Sequence, residues 1–140
     1  HPYEFYHDEV GYNYRMPNIN AALGCAQLED LPDFLARKRK LADRYAEEFG
    51  KVEGLDFCPE EKGTRSNYWL CTALLTKDAP YSLHDLLTHL NGVGLMSRPV
   101  WNLMHSLPMY KDCPRMDDVS VSEGLEKRLI SLPSSVLLGE

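Results

Sequence analysis

The chain has 140 residues, 44% of them hydrophobic and 26% charged, with a net charge of −6. That length and apolar content suit one domain whose core needs no metal or disulfide staple. The acidic balance argues against a nucleic acid or an anionic membrane as partner, and no apolar run approaches the roughly 20 residues of a membrane span.

The sequence opens His-Pro-Tyr-Glu, with no Met and no signal-peptide pattern, which points to a fragment. Residues 7–28, "HDEVGYNYRMPNINAALGCAQL", crowd charged and aromatic side chains ahead of a proline and a bland alanine-rich run. Pro17 suits a first helical turn, so a helix is expected over residues 17–31. Its small residues, Ala21, Ala22, Gly24, Cys25 and Ala26, favour a helix–helix or subunit contact. A second helix follows Pro32. Phe34, Leu35, Leu41, Ala42, Tyr45 and Phe49 form its apolar face, and the basic run Arg37, Lys38, Arg39, Lys40 reads as a solvated face. Gly50 stops it.

Beyond Gly50 the pattern changes to strands, "VEGLDF" and "NYWLCTALL", separated by the polar loop "CPEEKGTRS". "YSLHDLLTHLNGVG" reads as a helix capped by Ser82, with Asp85 completing a capping box. "VGLMSRPV" reads as a short strand. The remaining tail reads as irregular, with one short helix around residues 122–128. The outcome is an α/β layer: helices packed on a small mixed or antiparallel sheet, preceded by a helix that looks like a separate piece.

Of the cysteines, Cys25, Cys58, Cys71 and Cys113, none forms a CxxC pair; Cys25 and Cys71 read as small buried hydrophobes. The pattern suits a reducing compartment and holds no metal site. For His84 and His89 the ordinary expectation is one facing solvent and one partly buried. No GxSxG, P-loop, HExxH or GxGxxG motif is present. The densest chemistry is "SRPVWNLMHSLPMY". There Arg98 can grip a phosphate or carboxylate, Trp101 and Tyr110 can stack on a ring, and His105 can hydrogen-bond it. A proline-ordered loop packing its aromatics onto the sheet explains the same residues.

"HDEVGYNYRMPNINAALGCAQLEDL" closely resembles the signature of the DegT–StrS family of PLP-dependent nucleotide-sugar aminotransferases, and "GVGLMSRPVWNLMHSLPMY" with "SLPSS" resembles that family's C-terminal region. The wording of the second stretch looks most like the legionaminate- and bacillosamine-type subgroup. The resemblance implies the C-terminal small domain of the fold-type I aminotransferase fold. Residues 1–32 would be the tail of the large domain and the interface helix, and 33–140 the small domain. It implies the cofactor pyridoxal 5′-phosphate, a nucleotide-sugar substrate, an amino donor such as glutamate, and a cytoplasmic homodimer with shared active sites, working in polysaccharide biosynthesis.

Residue by residue, Asn13 matches the asparagine that reaches the PLP phosphate of the neighbouring subunit. Tyr12, Tyr14 and Arg15 would wall the same cleft, and Arg98, His105 and Tyr110 match positions near the sugar-nucleotide pocket. The Schiff-base lysine and the pyridinium partner would lie upstream, and the terminal helix that the family carries after "SLPSS" would be missing. The isolated chain is therefore expected to be inactive. A PLP-dependent sugar dehydratase of the same family, or a non-catalytic interaction domain, are the rival readings.

Overall fold

In the computed structural model, which describes residues 6–139, the chain turns helical at Asn18. Helix α1 (Asn18–Glu29) follows Pro17, whose carbonyl accepts from Asn20 N (2.9 Å) and Ala21 N (3.0 Å). One residue, Asp30, separates it from α2 (Leu31–Phe49), which has Pro32 in its first turn. The single helix expected over 17–31 thus ends at Glu29, because a proline in the opening turn begins a new helix rather than extending the old one.

Helix α1 has no buried residue. Cys25 is exposed, contrary to the sequence expectation, because α1 lies off the core and its small side chains have nothing packed over them. Cys71 is buried, as expected.

Strands β1 (Leu55–Phe57), β2 (Cys71–Leu75), β3 (Arg98–Pro99) and β4 (Leu129–Leu132) form one antiparallel sheet in the order β1-β2-β4-β3. The alternatives left by the sequence therefore resolve to antiparallel. Strand β4 lies in the tail read as irregular. It is buried at Ile130, Ser131 and Leu132, so it shows none of the in–out alternation that marks a half-exposed strand. Strand β2 does alternate, with Cys71, Ala73 and Leu75 buried between half-buried Thr72 and Leu74.

The first part of "NYWLCTALL" is not strand. Tyr68 has a φ of 45°, in the left-handed region, which turns the chain before β2. Strand β3 shrinks to two residues at a sheet edge, where Pro99 has no N–H to pair.

The core gathers Ala42, Leu55, Cys71, Ala73, Leu75, Leu87, Ile130 and Leu132, joined from α2 by Tyr45 and Phe49. Helix α3 (Leu83–Gly92) adds Leu83, Leu86, Leu87 and Leu90. Its capping box is present: Ser82 Oγ accepts from Asp85 N (3.1 Å) and Ser82 N donates to Asp85 Oδ2 (3.3 Å). His84 and His89 are both exposed, so the partly buried histidine expected here is absent; the leucines fill the inward face of α3. Helix α4 occupies Ser120–Glu126, shifted slightly from the expected 122–128.

The basic run of α2 is a solvated face only at Lys40, which is exposed; Arg37, Lys38 and Arg39 are half-buried. Arg37 pairs with Asp33 at 2.8 Å. Lys38 Nζ donates to Ser134 O (2.6 Å) and Trp69 O (3.3 Å). Arg39 binds Glu60 and donates to Ser66 O (2.9 Å). Long basic side chains run along the helix flank and spend their donors on carboxylates and backbone carbonyls. Tyr45 Oη donates to Pro133 O (2.9 Å), and Gly139 sits against the Arg37 backbone so closely that a Cβ would meet Arg37 O at 2.2 Å. Helix α2 thereby holds the segment after β4.

Two stability outcomes follow. Ile130→Ala should destabilise the fold by about 2–5 kcal/mol, since it empties a fully buried site in the central strand. Gly54 has a φ of +83°, and a Cβ there would lie 2.9 Å from Ala79 Cα. Gly54→Ala should cost at least about 1–2 kcal/mol. Urea titration of both variants checks these values; unchanged midpoints would refute them.

Candidate functional site

Tyr12, Asn13, Tyr14 and Arg15 lie in the non-helical stretch before α1, and all four are exposed. The rings of Tyr12 and Tyr14 stack, with centroids 6.0 Å apart and planes 13° from parallel. Two rings on this stretch, 78% and 88% exposed, form a flat apolar platform with an amide between them in sequence.

Just upstream, His7, Glu9, Val10 and Gly11 form one wall of a cleft of about 310 Å³. Its other wall comes from the loop after β3: Trp101, Asn102, Met104, Leu107, Met109 and Tyr110. Tyr110 sits in a 3-10 turn (Pro108–Tyr110) entered through Leu107, which is buried. The fold thus brings the loop that carries Tyr110 beside the approach to Asn13.

Arg98 lines a second, larger cleft of about 510 Å³ together with Lys38, Trp69, Ser97 and Ser134. The Arg98 guanidinium lies 5.8 Å from the Trp101 ring centroid, and Trp101 stacks on Trp69 at 6.2 Å. Trp101 therefore stands between the two clefts. Among the described residues that line it, the larger cleft has two cationic side chains and no carboxylate, which suits an anionic group. Ser97 Oγ, in its wall, is buried without a hydrogen-bond partner.

His105 faces neither cleft. It sits in the 3-10 turn Met104–Ser106, 20% exposed, with Nε2 3.2 Å from Glu123 Oε1 on α4. One turn along α4, Glu126 Oε1 accepts from Leu103 N (3.0 Å). The sequence reading missed both glutamates, as well as Lys38, Trp69 and Ser97. The spacing of Glu123 and Glu126, which puts them on one face of a helix, was the available signal for the first two.

Outside both clefts, Glu60 organises the loop between β1 and β2. It pairs with Arg39, accepts from Ser66 N (2.6 Å), and has its own N–H bonded to Tyr68 Oη (3.1 Å). The Arg39 hydrogen bond, aided by the Ser66 amide, lowers the Glu60 carboxyl to about 2. Burial raises the Cys58 and Cys71 thiols, so neither is a ready nucleophile. Among the described residues no group of three or more His, Cys, Asp or Glu side chains could hold a metal, and no helix is long and apolar enough to cross a membrane.

The sequence profile of the DegT/DnrJ/EryC1/StrS aminotransferase family matches residues 2–140. The chain belongs to this family. EpsN of Bacillus subtilis (strain 168) is 38% identical over 133 residues, covering 93% of this chain and 34% of that protein. The GDP-perosamine synthase of Escherichia coli O157:H7 is 37% identical over 131 residues, covering 94% and 34%. Among solved structures, E. coli GDP-4-keto-6-deoxy-D-mannose-3-dehydratase with bound hydrated PLP superposes with a TM-score of 0.76 at 26% identity, covering 90% of this chain and 33% of that one. The family chain described here spans about a third of the length of these relatives.

The electrostatics of Glu60 set a pH dependence. Its folded-state value lies below the ordinary 4.5, so its contribution to stability is full above that pH and drains away as pH falls toward about 2. Thermal melts at pH 5 and pH 3 should show a larger loss for the wild type than for Glu60→Gln. Equal losses would remove the Glu60 knot as a stabilising element.

Proposed function

We propose that this chain is the small domain and interface helix of a PLP-dependent aminotransferase that places an amino group, drawn from glutamate, on a keto sugar carried by a nucleotide. The observation that carries the reading is the family match over residues 2–140, joined to relatives named for that chemistry. In this reading residues 1–32 belong to the large domain and the interface, and 33–140 to the small domain; residues 1–5 and 140 lie outside the described ones. The enzyme would be a cytoplasmic homodimer serving the biosynthesis of surface polysaccharides.

The residues present fit the cofactor's phosphate at one point. Asn13 offers an exposed neutral amide, which can donate to a phosphate oxygen without changing the site's charge. Bound PLP supplies an electron sink for the amino transfer, together with a lysine upstream of this chain. Asn13 would serve the neighbouring subunit's site, which requires α1 to lie at the dimer interface. Ile19, Leu23 and Leu28, each more than half exposed on α1, support that placement.

Tyr12, Tyr14 and Arg15, exposed beside Asn13, would wall the cofactor cleft that the neighbouring subunit completes. Arg98, backed by the face of Trp101, grips the diphosphate of the sugar nucleotide, and the neighbouring Lys38 keeps that cleft cationic. Tyr110 lines the adjoining cleft, where a sugar ring can lie against aromatic surface. His105, assigned to the sugar pocket by the motif match, sits on the same loop with its ring turned to Glu123.

A PLP-dependent sugar dehydratase is the second reading, favoured by the superposition on the mannose dehydratase. The residue at the upstream lysine position decides between them: lysine for amino transfer, histidine for dehydration.

Asn13→Ala in the full-length enzyme should weaken PLP binding about ten- to a hundredfold, the loss of one hydrogen bond to a charged group. Mixed dimers of Asn13→Ala subunits with subunits lacking the cofactor lysine should regain one working site each, read as recovered turnover. Heterodimers that form without recovering activity would overturn the cross-subunit role of Asn13.

A further inference from the structure

We infer that the indole of Trp69 is the stacking surface for the base of the nucleoside diphosphate whose phosphates Arg98 grips. This rests on the reading of the larger cleft as the diphosphate site.

Trp69 and Arg98 both line that cleft. The Arg98 guanidinium lies 5.8 Å from the Trp101 ring centroid, and Trp101 lies 6.2 Å from Trp69, with planes 26° from parallel. One intervening ring thus joins the cation to the outer indole. A nucleoside diphosphate likewise carries base and diphosphate on opposite sides of one ribose. Trp69 is 63% exposed, so Trp101 leaves much of its surface open. An exposed indole beside a cationic cleft supplies both halves of what such a ligand needs, a flat apolar face and an opposite charge. Every base has a π face, so the stack itself accepts any of them.

The chain also fixes Trp69 in place. Tyr68, just ahead of it, has a φ of 45°, a left-handed conformation that bulky side chains rarely adopt. Three contacts keep it there. Its N–H donates to Ser66 Oγ (3.0 Å), its Oη accepts from Glu60 N (3.1 Å), and the Arg39 guanidinium lies 5.5 Å from its ring centroid. Trp69 N–H donates to Asn67 Oδ1 (2.9 Å), and Trp69 O accepts from Lys38 Nζ (3.3 Å). A strained residue held this firmly, directly before an exposed indole, points to a side chain set out for a ligand.

Calorimetric titration of the full-length enzyme tests this, with GDP, UDP and dTDP set beside inorganic pyrophosphate, which has the charge and no base. Trp69→Ala should weaken the tightest of the three nucleotides about five- to a hundredfold, the worth of one base–aromatic stack. Pyrophosphate should bind as it does to the wild type. Trp69→Phe, which keeps an aromatic face, should recover most of the loss. The same nucleotide should quench tryptophan emission in the wild type more than in Trp69→Phe.

Unchanged nucleotide binding in Trp69→Ala, alongside weakened binding in Arg98→Ala, would overturn the stacking role and leave the diphosphate reading standing. An indole covered by the rest of the enzyme gives that result. Equal weakening of nucleotide and pyrophosphate by Trp69→Ala, with no recovery by Phe, would mark a role confined to shaping the cleft and would also overturn the inference. Unchanged binding of the nucleotide in Arg98→Ala would overturn the diphosphate reading itself, and the inference with it.

Discussion

Ala73 and Ile130, both wholly shielded from solvent, face each other across β2 and β4, and the remaining architecture hangs on that pairing. Strand β4 joins the two halves of the sheet, since β1 reaches β2 on one side and β3 reaches β4 on the other. Arg128, at its entrance, donates to the Leu75 carbonyl (3.0 Å), while Leu75 N donates back to Arg128 O (2.9 Å). Beyond its exit, Tyr45 and Lys38 of α2 take the carbonyls of Pro133 and Ser134. Arg98 is positioned by its register opposite Ser131. The cleft that carries its guanidinium therefore inherits its shape from the end of β4.

The second organiser is α2, which does two jobs with different sides of one helix. Its apolar stripe closes the core through Ala42, Tyr45 and Phe49. Its basic flank reaches sideways to the segments on either side of the sheet, Arg39 to residues 60–66 and Lys38 to Trp69 and Ser134. A Lys or Arg at such a position is long enough to cover apolar surface and still end on a carbonyl or carboxylate. The larger cleft thus rests on one helix, through Lys38, rather than on loops alone.

Much of this was readable from residue order, and the parts that were not share a cause. Both helices after Pro17, the capping box at Ser82 and the alternation of β2 each carry a local signal: a proline, a hydroxyl–carboxylate spacing, a period of two. Strand β4 carries none, because full burial removes the alternation. The engagement of Lys38 and Arg39 also has no local signature, because their partners lie far along the chain and a charge run looks the same whether solvated or bonded. In the site, Arg98, Trp101, His105 and Tyr110 stood out as a dense polar–aromatic loop. That Arg98 and Tyr110 would line different clefts, with Trp101 between them, and that His105 would turn toward Glu123, required the register of β3 against β4 and the placement of α4. The resemblance to a sugar-aminotransferase family came from two motifs rather than from any fold-level pattern, and the profile match covers both.

The late position of β4 also bears on synthesis. A ribosome releases the chain from its N-terminus, so β1, β2 and both long helices emerge while the central place in the sheet is still empty. Until residues 129–132 appear, β2 offers an unpaired edge whose inward residues are Cys71, Ala73 and Leu75, a surface suited to wrong partners. Productive closure waits on a non-local contact, which slows folding relative to local hairpins. The same strand order that fixes Arg98 in place therefore gives the nascent domain a window of vulnerability.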